Sequence, residues 1–285
     1  MPFTLSHAAA VLPGIRRDGS TRGPLTASAL IAGSFAPDMT YFAASLHPDA
    51  MFFGDVTHSV KGVLTVDVVI TAALVGLWLL VRDPLVALLP RGRQGQVNAL
   101  LCGPARARRS PAARMSLFYV SAVLGAATHV VWDSFTHFDR WGVRAVPALS
   151  EPVAGFPLYT YTQYGSSAVA LVVVAWFTVS ALRGVPGQLP VPAGLPLLSG
   201  GERLTAGVLI AVCVLAGMAH RCLRFYWYWG RIDTPMDIIP TACFGAGTGL
   251  VAGVVLYALA VRLRPRRTAA ADPRENVPAD GASVS

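Results

Sequence analysis

The sequence predicts an all-α fold, a polytopic membrane helix bundle with about five transmembrane helices and short N-terminal interfacial or re-entrant helices. Of its 285 residues, 54% are hydrophobic and only 13% are charged, whereas soluble globular domains carry about 25% Asp, Glu, Lys and Arg. A chain with so little charge cannot coat itself with polar surface in water. Its apolar residues are also gathered into long runs. These observations exclude a secreted disulfide scaffold, a disordered chain and a coiled coil.

Five apolar runs are long enough to cross a bilayer, which takes about 17–25 residues in a helix. The predicted spans cover residues 62–81, 116–136, 166–182, 204–220 and 238–261. The run 26–36 is too short to cross the bilayer, and it predicts an interfacial or re-entrant helix that packs on the bundle.

The spans divide the chain into three parts. Residues 1–61 are an N-terminal segment with short helices, residues 62–261 are the transmembrane bundle, and residues 262–285 lack periodicity and predict a disordered tail. The connection 82–115 contains seven arginines among Pro and Gly, which indicates a mobile cytoplasmic loop. We therefore expect a multi-pass protein of the cell membrane with a cytoplasmic tail and with its N-terminal segment outside.

The net charge of +8 comes almost entirely from arginine. In a soluble protein this excess would suggest nucleic acid as a partner, but cytoplasmic loops of membrane proteins also collect Arg and Lys. We expect the lipid bilayer as a partner and no nucleic acid, and the sequence gives no indication of the oligomeric state. The four cysteines have no paired spacing, which argues against a structural disulfide and a Cys-based metal site.

The second span ends in a group of ionisable residues, which are costly inside a bilayer unless they are paired or solvated. His129, Asp133 and His137 are spaced by four residues, so their side chains fall within one sector of a helix. Imidazole nitrogen together with carboxylate oxygen is a ligand set for a divalent cation. The alternative is a polar stripe that lines a contact between helices.

Three further residues lie on the same predicted side of the membrane as the end of the second span. Asp38 follows a proline after the short apolar run, His58 stands just before the first span, and Thr4 is placed to cap a helix that carries His7. The alternatives are a turn residue for Asp38, a helix cap for His58 and an interfacial side chain for His7. Taken with the second span, the pattern favours one shared site.

The chain resembles a family of bacterial membrane proteins labelled domain of unknown function 4184. The resemblance rests on segments spread over most of residues 1–182. They are Met-Pro-Phe-Thr-Leu-Ser-His7, Gly-Ser-Phe-Ala-Pro-Asp38, Thr-His58-Ser-Val-Lys-Gly, Thr-His129-Val-Val-Trp-Asp133-Ser-Phe-Thr-His137, Pro157-Leu-Tyr159 and Gln163-Tyr164-Gly-Ser-Ser.

This pattern is similar to that of proteins described as membrane-bound metal-dependent hydrolases, which are in turn compared with zinc-dependent phospholipase C enzymes. The resemblance implies that the metal ligands are His7, Asp38, His58, His129 and Asp133. A bound cation activates water and polarises a phosphoryl or carbonyl oxygen. We expect Asp38 or Asp133 to ligate it directly, with the remaining carboxylate or His137 as general base. The His-rich set favours zinc, and a more carboxylate-rich arrangement would suit manganese or magnesium.

Substrate-binding candidates follow from the same predicted side. Arg221 and Arg224 can pair with a phosphate, although arginines that snorkel above an aromatic belt would give the same pattern. Tyr164 can donate to a substrate or simply anchor the interface. Asp67 lies nine residues after His58, half a turn round an ideal helix, and is expected to pair with a neighbouring span instead.

The sequence thus predicts an integral-membrane metal-dependent hydrolase that acts on a phosphoester, a lipid or isoprenoid phosphate. Two alternatives stay open. A small transporter or an ion or proton pathway would use His129, Asp133 and Asp67 as a relay. A non-catalytic membrane assembly protein would use a metal only to tie the N-terminal segment to the second span.

Overall fold

Short helices build the N-terminal part of the chain. The computed structural model describes residues 3–104, 109–187, 189–232 and 234–264. The short α-helices are α1 (Ala8–Val11), α2 (Ala27–Gly33), α3 (Met39–Ala43), α4 (Gly54–Thr57) and α5 (Val60–Leu64). One turn of 3₁₀-helix precedes α1 at Thr4–His7, and others lie between the helices at Leu12–Gly14, Ala36–Asp38 and Pro48–Phe53.

Long helices dominate the rest of the chain. The long helices are α6 (Val66–Leu88), α8 (Pro111–Ser134), α10 (Leu158–Gly184), α11 (Gly200–Trp229) and α12 (Pro235–Leu263). Two shorter helices, α7 (Arg91–Cys102) and α9 (Trp141–Ala145), lie in the connections after α6 and α8. A 3₁₀ turn at Pro147–Ser150 and a two-stranded antiparallel hairpin, β1 (Pro152–Val153) with β2 (Phe156–Pro157), lead into α10. Helices α6, α8, α10, α11 and α12 are long and apolar enough to cross a membrane. The protein is therefore a multi-pass helical membrane protein, as its composition predicts.

The connection 82–115 differs from the mobile loop that its Gly, Pro and Arg content predicts. Helix α6 continues to Leu88, and α7 packs back against the bundle. The Gln94 amide donates to the carbonyl oxygen of Leu89 at 2.9 Å, and the Gln96 amide donates to that of Leu182 at 2.8 Å. Two buried amides thus order a segment that its composition alone marks as irregular. The predicted tail 262–285 begins inside α12, which continues to Leu263, and the part of the tail beyond Arg264 lies outside the described residues.

Glycines let α11 and α12 pack closely. A Cβ atom on Gly245 would lie 2.6 Å from the carbonyl oxygen of Gly217, and a Cβ on Gly249 would overlap the carbonyl oxygen of Cys213. Small residues four apart are the usual means by which membrane helices approach each other. The glycine row of the fifth span therefore forms a packing face.

A second close approach joins α2 to α8, and it positions the site described below. A Cβ on Gly33 would lie 2.6 Å from the carbonyl oxygen of Ala122, and a Cβ on Gly125 would overlap that of Leu30. Helix α2 is too short to cross the bilayer, so it lies beside α8 and ends at Ser34, next to His129. The prediction that this short helix packs on the bundle is confirmed.

Candidate metal centre

Four buried side chains from three parts of the chain converge at one end of α8. Asp38 comes from the 3₁₀ turn Ala36–Asp38, His58 directly follows α4, and His129 and Asp133 lie one turn apart on α8. One potential ligand atom from each of the four lies within 4.8 Å of all the others. The four therefore form a cluster that can hold a single metal ion.

Asp133 and His129 lie at the middle of this cluster. The Nε2 atom of His129 is 3.4 Å from Oδ2 of Asp133 and 3.5 Å from Oδ1 of Asp38. The Nε2 atom of His58 lies 3.6 Å from the same Asp133 oxygen and 3.9 Å from the same Asp38 oxygen. Each of the two imidazoles thus faces both carboxylates with its Nε2 atom.

Backbone carbonyls fix the orientation of both imidazoles. The Nδ1 atom of His129 lies 2.7 Å from the carbonyl oxygen of Ser34, and Nδ1 of His58 lies 2.8 Å from that of Gly54. A carbonyl accepts only, so each Nδ1 carries a hydrogen, and in the neutral ring each Nε2 has a lone pair that faces the cluster. Metal-binding histidines are usually oriented in this way by an acceptor on the other ring nitrogen.

Two threonines hold Asp38 in place. The Thr4 hydroxyl donates to Oδ2 of Asp38 at 2.5 Å, and the Thr57 hydroxyl donates to the carbonyl oxygen of Pro37 at 2.8 Å. The predicted capping role of Thr4 is wrong, because its side chain makes no helix-cap hydrogen bond. The buried Asp38 carboxylate is the stronger acceptor and draws the hydroxyl instead.

The cluster leaves buried polar atoms without hydrogen-bond partners among the described residues. These atoms are Oδ1 of Asp38, Nε2 of His129 and Oδ1 of Asp133. An unpaired buried acceptor costs about 1–3 kcal/mol, and more if it is charged. A divalent cation would satisfy acceptors of this kind and would balance the two carboxylate charges. The donor set of two nitrogens and two carboxylates therefore fits a divalent metal.

His7 lies beside the cluster and approaches Oδ1 of Asp133, whereas His58 and His129 approach Oδ2. Its ring stacks on that of His129, with the centroids 3.6 Å apart, and its Nε2 lies 3.4 Å from Oδ1 of Asp133. Burial, followed by the proximity of His129, lowers the pKa of His7 to about 3. The ring is therefore neutral at physiological pH, as a ligand must be. His7 touches the site but lies outside the group of four, so its role as a ligand stays a prediction.

His137 lies at the accessible edge of the site. Its Nδ1 is 3.6 Å from Oδ2 of Asp133 and 3.3 Å from the Asp133 carbonyl oxygen, and its Nε2 is 3.1 Å from the amide nitrogen of Gln163. The side chain is 28% exposed, against 4% for those of His58 and Asp133. Burial is the main cause that lowers the pKa of His137 to about 4. His137 is thus a neutral base beside the cluster, with both ring nitrogens near other groups.

The two candidate phosphate-binding arginines contact the backbone next to the site. Arg221 donates to the carbonyl oxygen of Tyr41 at 2.5 Å and to the Ser45 hydroxyl at 2.6 Å. Arg224 donates to the carbonyl oxygens of Ser45 and Ala44 at 3.0 and 3.3 Å. Both guanidinium groups therefore bind acceptors in the last turn of α3 and in the two residues that follow it, and their role toward a phosphate stays a prediction.

Two other residues singled out in the sequence are not members of the group of four. The ring of Tyr164 packs edge-on against Phe3, just before the turn that carries His7, with the centroids 6.2 Å apart. Asp67 is fully buried, and neither carboxylate oxygen has a hydrogen-bond partner among the described residues. The expected pairing of Asp67 with a neighbouring span is therefore not found in the described part of the chain.

Several contributors could not be found from the sequence. Ser34 and Gly54 act through backbone carbonyls, which any residue type supplies. Thr57 precedes a predicted ligand, but its contact with Pro37 spans twenty residues. The sequence only hinted at Gln163: the residue belongs to one of the motifs shared with the resembled family, but the motif assigns no role to it.

Of the comparisons with known proteins, the one with protein families gives a match. The sequence model of a family described as "Domain of unknown function (DUF4184)" matches residues 1–259. No curated protein and no solved structure matches the chain. The match spans all four clustered residues and all five long helices as far as residue 259.

Proposed function

The chain belongs to the DUF4184 family, and from the site that it carries we propose that it is an integral-membrane, metal-dependent hydrolase of a phosphoester, with a lipid or isoprenoid phosphate as substrate. The observation that supports this most is the convergence of Asp38, His58, His129 and Asp133 within 4.8 Å in a buried position. Buried carboxylates at such distances repel each other unless a cation lies between them.

The chemistry requires a cation and a base that reaches the substrate. When bound, a divalent cation lowers the pKa of a water to near neutrality and polarises a phosphoryl oxygen. Asp38 and Asp133 supply the negative charge that holds such an ion, and His58 and His129 supply neutral nitrogen. Zinc suits this mixed set, and manganese or magnesium are the alternatives.

His137 is the group best placed to accept a proton. It is the most exposed of the histidines at the site, and its low pKa keeps it neutral at physiological pH. The Gln163 amide, 3.1 Å from Nε2, orients the ring. A substrate that enters on this side would meet His137 before the buried ligands.

A membrane-borne substrate is favoured by the apolar surface around the site. The turn that leads to Gly54, the carbonyl partner of His58, exposes Phe52 and Phe53 by 78% and 61%. At the same end of the bundle, Trp227 and Tyr228 expose about 80% of their surface, three or four residues after Arg224. Aromatic side chains of this kind gather at the lipid–water interface.

The activity can be tested on purified protein in detergent that is stripped with a chelator and reloaded with zinc, manganese or magnesium. We expect one of these ions to restore phosphate release from phosphatidic acid or from an isoprenyl phosphate. A His137→Gln variant should lose about 10²–10⁴-fold in kcat and keep its bound metal. Metal-loaded protein that cleaves neither substrate, or a His137→Gln variant with full activity, would contradict the proposal.

An ion or proton pathway is the second candidate, and Asp67 is the observation that favours it. Its buried carboxylate lies on a helix long enough to span the membrane and has no hydrogen-bond partner among the described residues, and ionisable groups inside membrane helices mark ion and proton pathways. Proteoliposomes loaded with a pH-sensitive dye would distinguish the two candidates. A pathway predicts proton or cation flux that Asp67→Asn abolishes, whereas the hydrolase predicts no flux and an Asp67→Asn variant that still releases phosphate.

A further inference from the structure

A cavity of about 910 Å³ lies between α2, α6 and α8, away from the metal centre. Its apolar walls include Val75 and Leu79 of α6 and Met115 and Phe118 of α8. Both helices are among the five that are long and apolar enough to span a membrane, and apolar walls on such helices suit the hydrocarbon chains of a lipid. The volume is at the upper end of the range for small-molecule sites, about 300–1,000 Å³.

Two arginines line one end of this cavity. Arg109 stands just before α8, and Arg114 lies in its first turn. Arg109 donates to the carbonyl oxygen of Pro24 at 2.6 Å, which fixes one end of its guanidinium group. The Arg114 side chain has no hydrogen-bond or ion-pair partner in the described part of the chain, and none of the described residues that line the cavity is acidic. The cavity thus combines apolar walls with an unbalanced positive end.

An amphiphile with a negative head matches both features. On α8, Phe118 lies about 6 Å along the helix axis from Arg114, so a chain bound along the walls would place its head beside the arginines. Basic pockets between membrane helices attract anionic headgroups. A neutral partner helix would cover the walls but would supply no counter-charge to the two guanidinium groups.

We propose that this cavity forms a groove that binds one anionic phospholipid. The lipid phosphate lies between Arg109 and Arg114, and an acyl chain lies along Val75, Leu79, Met115 and Phe118. The lipid comes from the leaflet on the arginine-rich side of the membrane. The site is separate from the metal centre, and the proposal does not depend on hydrolysis.

Native mass spectrometry of the protein in detergent tests this directly. Phosphatidylglycerol and phosphatidylcholine with identical acyl chains are added in equal amounts. We expect one bound phosphatidylglycerol per chain, with a preference of roughly tenfold or more, because each arginine near a lipid headgroup contributes about 1 kcal/mol. The double variant Arg109→Gln/Arg114→Gln should lose this preference. The control Arg91→Gln/Arg183→Gln removes two exposed arginines that do not line the groove, and it should keep the preference.

A second variant tests the walls without changing the charge. Met115→Trp places a larger side chain in the groove and should reduce the amount of bound lipid severalfold. Equal binding of the two lipids, an unchanged preference in the arginine double variant, or lipid-independent dimers that are lost with Met115→Trp would overturn the proposal.

Discussion

The Nδ1 atom of His129 lies 2.7 Å from the carbonyl oxygen of Ser34. Ser34 is the C-terminal cap of α2, and carbonyls at a helix end lack a partner within the helix. One hydrogen bond thus satisfies the end of the short helix, joins it to the spanning helix α8 and directs Nε2 of His129 toward Asp38 and Asp133. The metal centre therefore depends on the close packing of α2 on α8.

This dependence predicts the effect of adding a single methyl group. Gly125→Ala would bring a Cβ into the carbonyl oxygen of Leu30 and push α2 away from α8. We expect a loss of about 1–3 kcal/mol in stability and weaker metal retention. Gly76→Ala is the control, because a Cβ there meets nothing within 4 Å. Thermal unfolding and metal content of both variants in detergent check this, and equal behaviour of the two would contradict it.

The hydroxyl of Thr4 should matter for metal affinity more than for folding. Thr4→Val keeps the shape of the side chain but removes the hydrogen bond to Oδ2 of Asp38. Loss of such a supporting contact typically weakens metal binding about 10–100-fold. Thr178→Val, on an exposed position of α10, is the matched control. Titration of the stripped proteins with zinc gives both affinities, and an unchanged affinity in Thr4→Val would refute the role of Thr4.

The metal-free protein should lose stability in acid because of His7. Burial lowers the pKa of folded His7 to about 3, whereas an unfolded histidine titrates near 6.5. Between these values the unfolded chain binds more protons, so the free energy of unfolding falls as pH decreases from about 6.5, by at most about 1.4 kcal/mol per pH unit for this residue. Denaturant unfolding at several pH values measures the slope.

Two substitutions show whether the pH dependence of the free energy of unfolding comes from His7. His7→Gln should flatten the pH dependence by about one proton, because the group that cannot ionise in the folded state is gone. His47→Gln should leave it unchanged, since the His47 side chain is 76% exposed in the folded protein. Parallel curves for wild type and His7→Gln would show that His7 does not titrate as described.

Arg221 should act mainly as a structural residue. Arg221→Ala leaves the Tyr41 carbonyl without this donor and removes the contact with the buried Ser45 hydroxyl, at a cost of about 1–3 kcal/mol. Arg183→Ala, on an exposed arginine, should cost much less. Once a phosphoester substrate is found, the KM separates the two roles. An increase in KM at unchanged thermal stability would support a phosphate clamp instead.

The helical class and the main ligands could be predicted because their signals are local. Hydropathy over some twenty residues defines the spans, and the spacing of His129 and Asp133 places both on one helix face. The contact of His58 with Asp133 joins residues 75 positions apart, and no pattern within either segment gives its distance. The shared predicted side of the membrane and the family resemblance were what placed the two residues in one site.

The features that could not be predicted depend on contacts that exist only in the folded chain. In α7, the Gln94 amide binds the carbonyl at the end of α6, and the Gln96 amide binds a carbonyl of α10, which is 86 residues away. The Thr4 hydroxyl could equally cap its own helix or bind a carboxylate, and only the folded position of Asp38 decides between them. The groove beside Arg109 arises from the spacing of three helices, which sequence patterns do not give.

The most direct test of the metal centre is the metal content of protein purified in detergent, measured by inductively coupled plasma mass spectrometry. We predict one divalent ion per chain in the wild type and its loss in the double variant His129→Gln/Asp133→Asn. The control His47→Gln/Asp49→Asn alters an exposed His–Asp pair and should keep the ion. Equal metal content in the wild type and in His129→Gln/Asp133→Asn would contradict the central claim that these buried residues bind it.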